Sequence, residues 1–404
     1  MTNRHSGNDI IVANTELFKI VNGIKKTVFM LMITALLFGC CGSARKTESG
    51  SINMSANEIT VAQGFAISHS EEFVKITVKN PWQGASNISY DHYLVPKGLP
   101  VPEGIDQSEV IFVPVEKIVC MSTTHAGMIS ALGEASTIRG ISGANLAYSP
   151  EIAVMVEKRH IVEVGYEANL NMETLIDISP DIVMMYGIGN EAAGHINKMK
   201  ETGIKTMFNA DYLEEDPLGK AEWIKLFGEL YCKRCMADSI FSAAADSYNS
   251  LKSFIDSAAN HHPLILLGLP FRDTWFVSPG NSFIAKLIAD AGGKYLWNDI
   301  HSNSSMPLSL ESVYIKAVNA DYWLNTGTAE HASEIAVLDK RLGTLKSFSS
   351  GNLYNNNSRV NKNGGNDFWE SGAISPHIIL KDIASILHPE LFMGYTPYYY
   401  RKLE

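Results

Sequence analysis

The stretch VGYEANLNMETLIDISPDIVMMYG, Val164 to Gly187, decides the fold. It opens on a polar cap, Asn171, with Glu173 two residues on, and continues through a short helical run to Asp181 and the apolar strand IVMM. A second segment, SLESVYIKAVNADYWLNTG (Ser309 to Gly327), follows the same plan, with Ser309, Glu311 and Asp321 at the matching places. The two glutamates stand 138 residues apart, about one domain length. The repeat therefore predicts two similar α/β lobes, each presenting one carboxylate on the first turn of a short helix. An acid there is favoured by the helix dipole and needs no function by itself; its duplication is what points to one. Two exposed carboxylates at equivalent places suit a two-fold symmetric partner that offers arginines.

Working outward from Val164, the chain alternates strand and helix. KIVCMS reads as a buried strand, TTHAGMISALG as a turn into a helix, IRGISG as a second strand and SPEIAVMVEKR as a second helix. Alternating units of this length make a parallel sheet. Upstream, Phe65 to Val115 is turn-rich with period-two runs such as FVKITVKN and SYDHYLV, which predicts a small antiparallel accessory layer carrying no chemical motif. Downstream, Trp223, Ile224, Phe227, Leu230 and Tyr231 follow helical spacing up to a break at Cys232 to Arg234. Ile240, Phe241, Ala244, Tyr248, Leu251 and Ile255 then resume it, and a helix over 236–260 is the expected bridge between lobes. The lobes themselves are expected at 58–235 and 261–404. The fold class is α/β: two similar lobes with parallel sheets and a long helix between them, plus the accessory layer.

The amino terminus sets the compartment. Lys25 and Lys26 precede TVFMLMITALLFGC, an apolar run of signal-peptide length, and Leu37-Phe38-Gly39-Cys40 resembles a lipobox. We expect a signal peptide over 1–39, lipidation at Cys40, and a small-polar tether over 40–57. The protein is then extracytoplasmic, held to a bacterial membrane on its periplasmic side or at the cell surface. Loss of 1–39 takes the net charge from −10 to −12, which disfavours nucleic acid and suits basic residues on a partner protein. Cys232 and Cys235 form a CxxC that an exported protein can oxidise. Lys233 and Arg234 between them, after a helix, argue against a redox centre.

Open parallel sheets bind ligands beyond the carboxyl ends of their strands. In the first lobe those positions nominate Thr124, His125, Tyr148, Tyr186 and Tyr212. In the second they nominate Arg272 and Trp275, with Arg359 and Trp369 from a long polar loop. Aromatics, hydroxyls and two arginines fit a bulky, partly apolar ligand with anionic or amide groups. Gly187, Gly189 and Ala192 imitate a dinucleotide fingerprint with Asp211 further on, but they follow the third strand rather than the first. No HExxH, EF-hand or tight His/carboxylate spacing predicts a metal site or resident cofactor. An exported enzyme using His125 and Arg272 is the alternative, without a nucleophile and base at recognisable spacing.

Taken together, CMSTTHAGMISALG, VEVGYEANLNME, LSLESVYIKAVNADYWLN and NDFWESGAISPHIILKDIASILHPEL resemble the class III periplasmic-binding proteins, the iron-chelate and cobalamin binding components of ABC importers. The resemblance covers roughly residues 115 to 390. It implies two Rossmann-like lobes joined by a long rigid helix, with a ligand, either a ferric chelate (siderophore or haem) or a corrinoid, held in an inter-lobe cleft with little closure. It also implies docking of Glu173 and Glu311 on arginines of the two permease subunits, which work with their ATPase subunits, and a ligand contact at Trp369. The first-lobe loop STTHAG lacks the Thr-Glu pair of many members and the polar loop before Trp369 is long, which leaves the ligand open.

Overall fold

The computed structural model describes residues 54–187 and 198–404. Cys40, the signal peptide, most of the tether, Gly189 and Ala192 lie outside the described residues. The accessory layer consists of β1 (Phe65–His69), β2 (Val74–Lys79), β3 (Ser89–Pro96) and β4 (Val110–Val113), paired in that order. Its first three strands are antiparallel, but β4 joins β3 in parallel. The long connection over 97–109 carries the chain back to the start of β3, so the layer is mixed rather than antiparallel. Alternation sets its faces: Ile76 and Val78 are fully buried while Thr77 and Lys75 reach Asp91 on β3.

The first lobe has five strands: β5 (Ile118–Cys120), β6 (Ile138–Ile141), β7 (Val162–Glu163), β8 (Ile182–Met185) and β9 (Thr206–Phe208). They run parallel in the order β7-β6-β5-β8-β9. IVC and IVMM are buried at every position, as strands covered on both faces require. The second-lobe sheet uses β10 (Leu264–Leu267), β12 (Lys294–Tyr295), β14 (Tyr322–Leu324), β15 (Leu353–Asn355) and β16 (Arg401–Lys402), in the order β12-β10-β14-β15-β16. Here the edge departs from a wholly parallel sheet, because the C-terminal tail returns as β16 antiparallel to β15. A separate hairpin pairs β11 (Thr274–Val277) with β13 (Met306–Ser309).

The sequence repeat is a structural repeat. Asn171 and Ser309 cap their helices by accepting from the Thr174 and Ser312 amides, which puts Glu173 and Glu311 in equivalent, exposed first-turn positions. Asp181 then bonds to the backbone of Lys117, at the head of β5, through both its amide and its carboxylate. Asp321 does the same to Leu264, at the head of β10. Each aspartate thus fixes the register of the strand that follows it against the first strand of its lobe.

Between the sheets, the helix Arg234–Ala258 spans 25 residues, about 37 Å at 1.5 Å per residue. Cys232, in the left-handed region at φ 53°, ends the preceding helix Ile224–Leu230. Both CxxC thiols are unpaired. The bridging helix buries Ala237, Phe241, Ala244, Tyr248 and Ile255 against Ile224–Leu230 on one side and Pro376–Leu387 on the other. Gly228 permits the tight crossing, since a Cβ there would lie 2.5 Å from that of Ala237.

Asp290 anchors this helix to the second lobe, accepting from the Tyr248 hydroxyl at 2.7 Å and the Lys252 ammonium at 2.8 Å. Burial alone would raise its pKa, but the Lys252 and Tyr248 bonds and the Lys286 charge outweigh it and hold the carboxyl below 3.8. A depressed acid contributes stability that is complete above its unfolded value and is lost as pH falls through the folded one. The melting temperature should therefore fall steeply below about pH 4, and Asp290→Asn should flatten that limb in a pH series of thermal melts. Parallel profiles for the two proteins would show that the anchor contributes nothing.

Candidate functional site

The strand orders place both switch points, β5/β8 and β10/β14, toward the space between the lobes. A cleft of about 1260 Å³ opens there, walled by Tyr212 from the first lobe and Asn325, Asn357 and Trp369 from the second. The accessory layer supplies a third wall through Gln63, Trp82 and Gln83, so the segment read as chemically silent borders the site. Trp82 and Gln83 sit in the turn NPWQGASN, where a tryptophan in a Gly/Asn-rich turn was the available signal.

Of the nine ligand candidates, Tyr212 and Trp369 line the cleft. Trp369 is 52% exposed, with an edge-on contact to Phe368 beneath it. Tyr212 donates its hydroxyl to the Gly187 carbonyl at 2.5 Å and packs its ring on Tyr186, 4.6 Å between centroids. Burial pushes the Tyr212 phenol up to about 12, so it stays a proton donor at neutral pH. Tyr186 lies behind it and does not border the cleft.

The other candidates serve elsewhere. His125 is fully buried, with Tyr186 and Phe227 on either side, because its helix Thr123–Ala131 turns that face to the core. Burial lowers its pKa to about 4, partly offset by the Asp211 charge, so the imidazole is neutral. Trp275 is also fully buried, donating its indole N–H to the Leu267 carbonyl and stacking on Trp323. Arg272 is exposed on the turn before β11, its guanidinium over Phe271, and does not line the cleft.

Thr124, Tyr148 and Arg359 belong to a latch between lobes. Residues 356–375 leave the second lobe and strap across the first. Asn361 and Asn363 donate to the carbonyls of Ala147 and Asn145, at 2.9 and 3.0 Å. The Glu370 carboxylate accepts from the Tyr148 and Ser149 amides at 2.7 and 2.9 Å, and the Thr124 hydroxyl donates to the Trp369 carbonyl at 2.7 Å. Arg359 pairs with Asp367 at 2.7 Å and lies over the rings of Tyr148 and Tyr398. The long loop thus spends its polar groups on holding the lobes together and leaves Trp369 projecting into the cleft.

The cleft's charge is nearly balanced. Lys79 and Arg401 are its cations, among the described residues, against Glu215 and Glu330. Glu214 is buried and committed to the Gln63 and Gly64 amides and the Trp223 indole. Most remaining polar groups are amides and hydroxyls; Arg401 donates to Asn357 at 2.9 Å and Tyr400 to Asn325 at 2.7 Å. Asn325 directly follows β14, a strand end where the sequence already points to ligand contacts, whereas Asn357, in the long polar loop, was missed.

A family model described as periplasmic binding protein matches residues 118–341, more than half of the chain. The chain is a periplasmic binding protein. That family is one of solute-binding proteins rather than enzymes. An uncharacterized lipoprotein of Methanocaldococcus jannaschii is 25% identical to it over 93% of this chain and 95% of its own length. Two solved structures share the fold. A periplasmic heme binding protein from Pseudomonas aeruginosa aligns at TM-score 0.53 with 14% identity, over 70% of this chain and 95% of its own. The triscatecholate siderophore binding protein FeuA from Bacillus subtilis aligns at 0.52 with 17% identity, over 69% and 94%. Among the described residues of this periplasmic binding protein, no helix is long and apolar enough to cross a membrane.

Proposed function

We propose that this protein is the lipid-anchored binding component of an ABC importer and carries a large, nearly neutral metal chelate. Support for the size comes from the cleft, whose volume of about 1260 Å³ exceeds the usual 300–1,000 Å³ of drug-sized sites. Its wall of uncharged amides around Trp369 carries the chemical reading. A triply anionic ferric catecholate or a haem with two propionates gains little from two cations opposed by two exposed acids. A corrinoid fringed with amide side chains matches such a wall, donor for acceptor, with Trp369 offering an apolar face. Haem ligation has little support, since Tyr212, the one tyrosine bordering the cleft among the described residues, is bonded to Gly187. The enzymatic alternative loses its two named residues: His125 is in the core and Arg272 is off the cleft.

Anchoring rests on Cys40 and on the relative named as a lipoprotein. Because that relative is archaeal, the anchor need not be in a bacterial membrane. The test mixes purified protein with cyanocobalamin, haemin and a ferric triscatecholate, and follows visible-band shifts and thermal melts. Cyanocobalamin should give the largest stabilisation, and Trp369→Ala should weaken its binding about tenfold or more. Failure of all three ligands to move the melting temperature would remove the ligand class. Tighter binding of the catecholate would overturn the charge argument.

A further inference from the structure

We propose that His261, His388 and Glu390 form a binding site for a divalent transition metal ion of the zinc class. The three side chains each offer one ligand atom, all within 4.8 Å of one another. They gather on the second lobe at the amino-terminal end of β10, the end away from the cleft, and none of them borders it. His261 stands in the connection between the bridging helix and β10, and His388 follows the last turn of the helix Pro376–Leu387. Along the chain the two histidines stand 127 positions apart, which is why no ligand spacing was readable.

The observation that asks for a ligand is His388. It has no solvent exposure, and its Nδ1 has no hydrogen-bond partner. That nitrogen faces Glu390 Oε1 at 3.8 Å, too far for a hydrogen bond and short enough for a shared cation. The His261 ring lies edge-on, 4.8 Å between centroids. A buried imidazole nitrogen left unpaired is costly, and a metal ion satisfies it.

The surroundings hold His388 in place. Gly292 adopts φ +79°, and a Cβ there would come within 2.6 Å of His388 Nε2, so the ring fits only beside glycine. The Gly292 carbonyl accepts from His262 Nδ1 at 2.9 Å, which fixes the loop wall. Burial, reinforced by the neighbouring His261, lowers the His388 pKa and keeps the ring in its neutral, ligating form. Tetrahedral ligation at about 2.0–2.2 Å puts donor atoms about 3.3 Å apart. His261 and Glu390 are both exposed, which leaves their side chains room to close to that spacing from within 4.8 Å. Two imidazoles and one carboxylate suit Zn²⁺, Co²⁺ or Ni²⁺, with water completing the shell. The ion would tie the exit of the bridging helix to the helix Pro376–Leu387 that packs along it.

The test uses the untagged full chain, with Co²⁺ as a visible probe and Zn²⁺ in thermal melts. Wild type should bind one Co²⁺ with d–d absorption bands and gain thermal stability in Zn²⁺ that a chelator reverses. His261→Ala and Glu390→Gln change exposed residues, so each should keep the metal-free melting temperature while weakening Co²⁺ affinity at least about tenfold. Wild type without bands or a Zn²⁺-dependent shift would overturn the site, as would variants that bind like wild type.

Discussion

A Glu173→Ala/Glu311→Ala double variant should abolish delivery of ligand to a cognate ABC transporter while its ligand affinity stays at the wild-type value. Each glutamate occupies the same place on a short, side-chain-capped helix, exposed and engaged in no ion pair among the described residues. The matching Asp181 and Asp321 clamps set both helices against the first strand of their lobe, so the two carboxylates are displayed in equivalent ways. A partner with two-fold symmetry can meet them with one arginine per subunit. Truncating one member of a buried, hydrogen-bonded charge pair costs about 2–5 kcal/mol. Losing two such pairs lowers docking affinity by about a thousandfold or more, and each single variant should lose part of that. Transport assays in reconstituted vesicles read delivery, and titration of the free protein reads ligand affinity. Undiminished stimulation of ATP hydrolysis and transport by the double variant would sink the docking assignment.

Glu370→Ala should unlatch the strap. The carboxylate is buried and accepts from the Tyr148 and Ser149 amides across the lobe boundary. Burial raises its pKa and the two amide bonds oppose that rise. Alanine leaves two amides without an acceptor, each costing about 1–3 kcal/mol. A destabilisation of about 2–5 kcal/mol should appear in denaturant melts, with a larger radius of gyration by small-angle scattering as the lobes gain freedom. Because Trp369 is held by Thr124 through the same strap, ligand affinity should fall as well. A variant within about 0.5 kcal/mol of wild type, the range of an ordinary surface substitution, and unchanged in dimensions, would show that the bridging helix alone holds the lobes.

These two variants divide along what was readable. The paired glutamates sit in contiguous stretches whose caps, periodicity and apolar strands are local properties, so the repeat was visible without a structure. The latch was not. Tyr148 was read as a ligand contact from its place beyond a strand end and Arg359 from its place in the long polar loop, yet they are 211 positions apart and pack against each other. His125 and Trp275 failed for another reason: strand-end position does not say which way a side chain turns, and both turn into the core.

From the sequence alone came the α/β class, the two lobes, the bridging helix and the paired glutamates, because helix caps and hydrophobic periods are written within one or two turns of chain. Only the tertiary structure decided which groups face the cleft, how residues 356–375 strap the lobes, how the tail becomes an edge strand, and which two histidines meet beside Glu390. Those depend on contacts between segments separated by a hundred residues or more, and no local pattern encodes which of many polar side chains will find a buried partner across that distance.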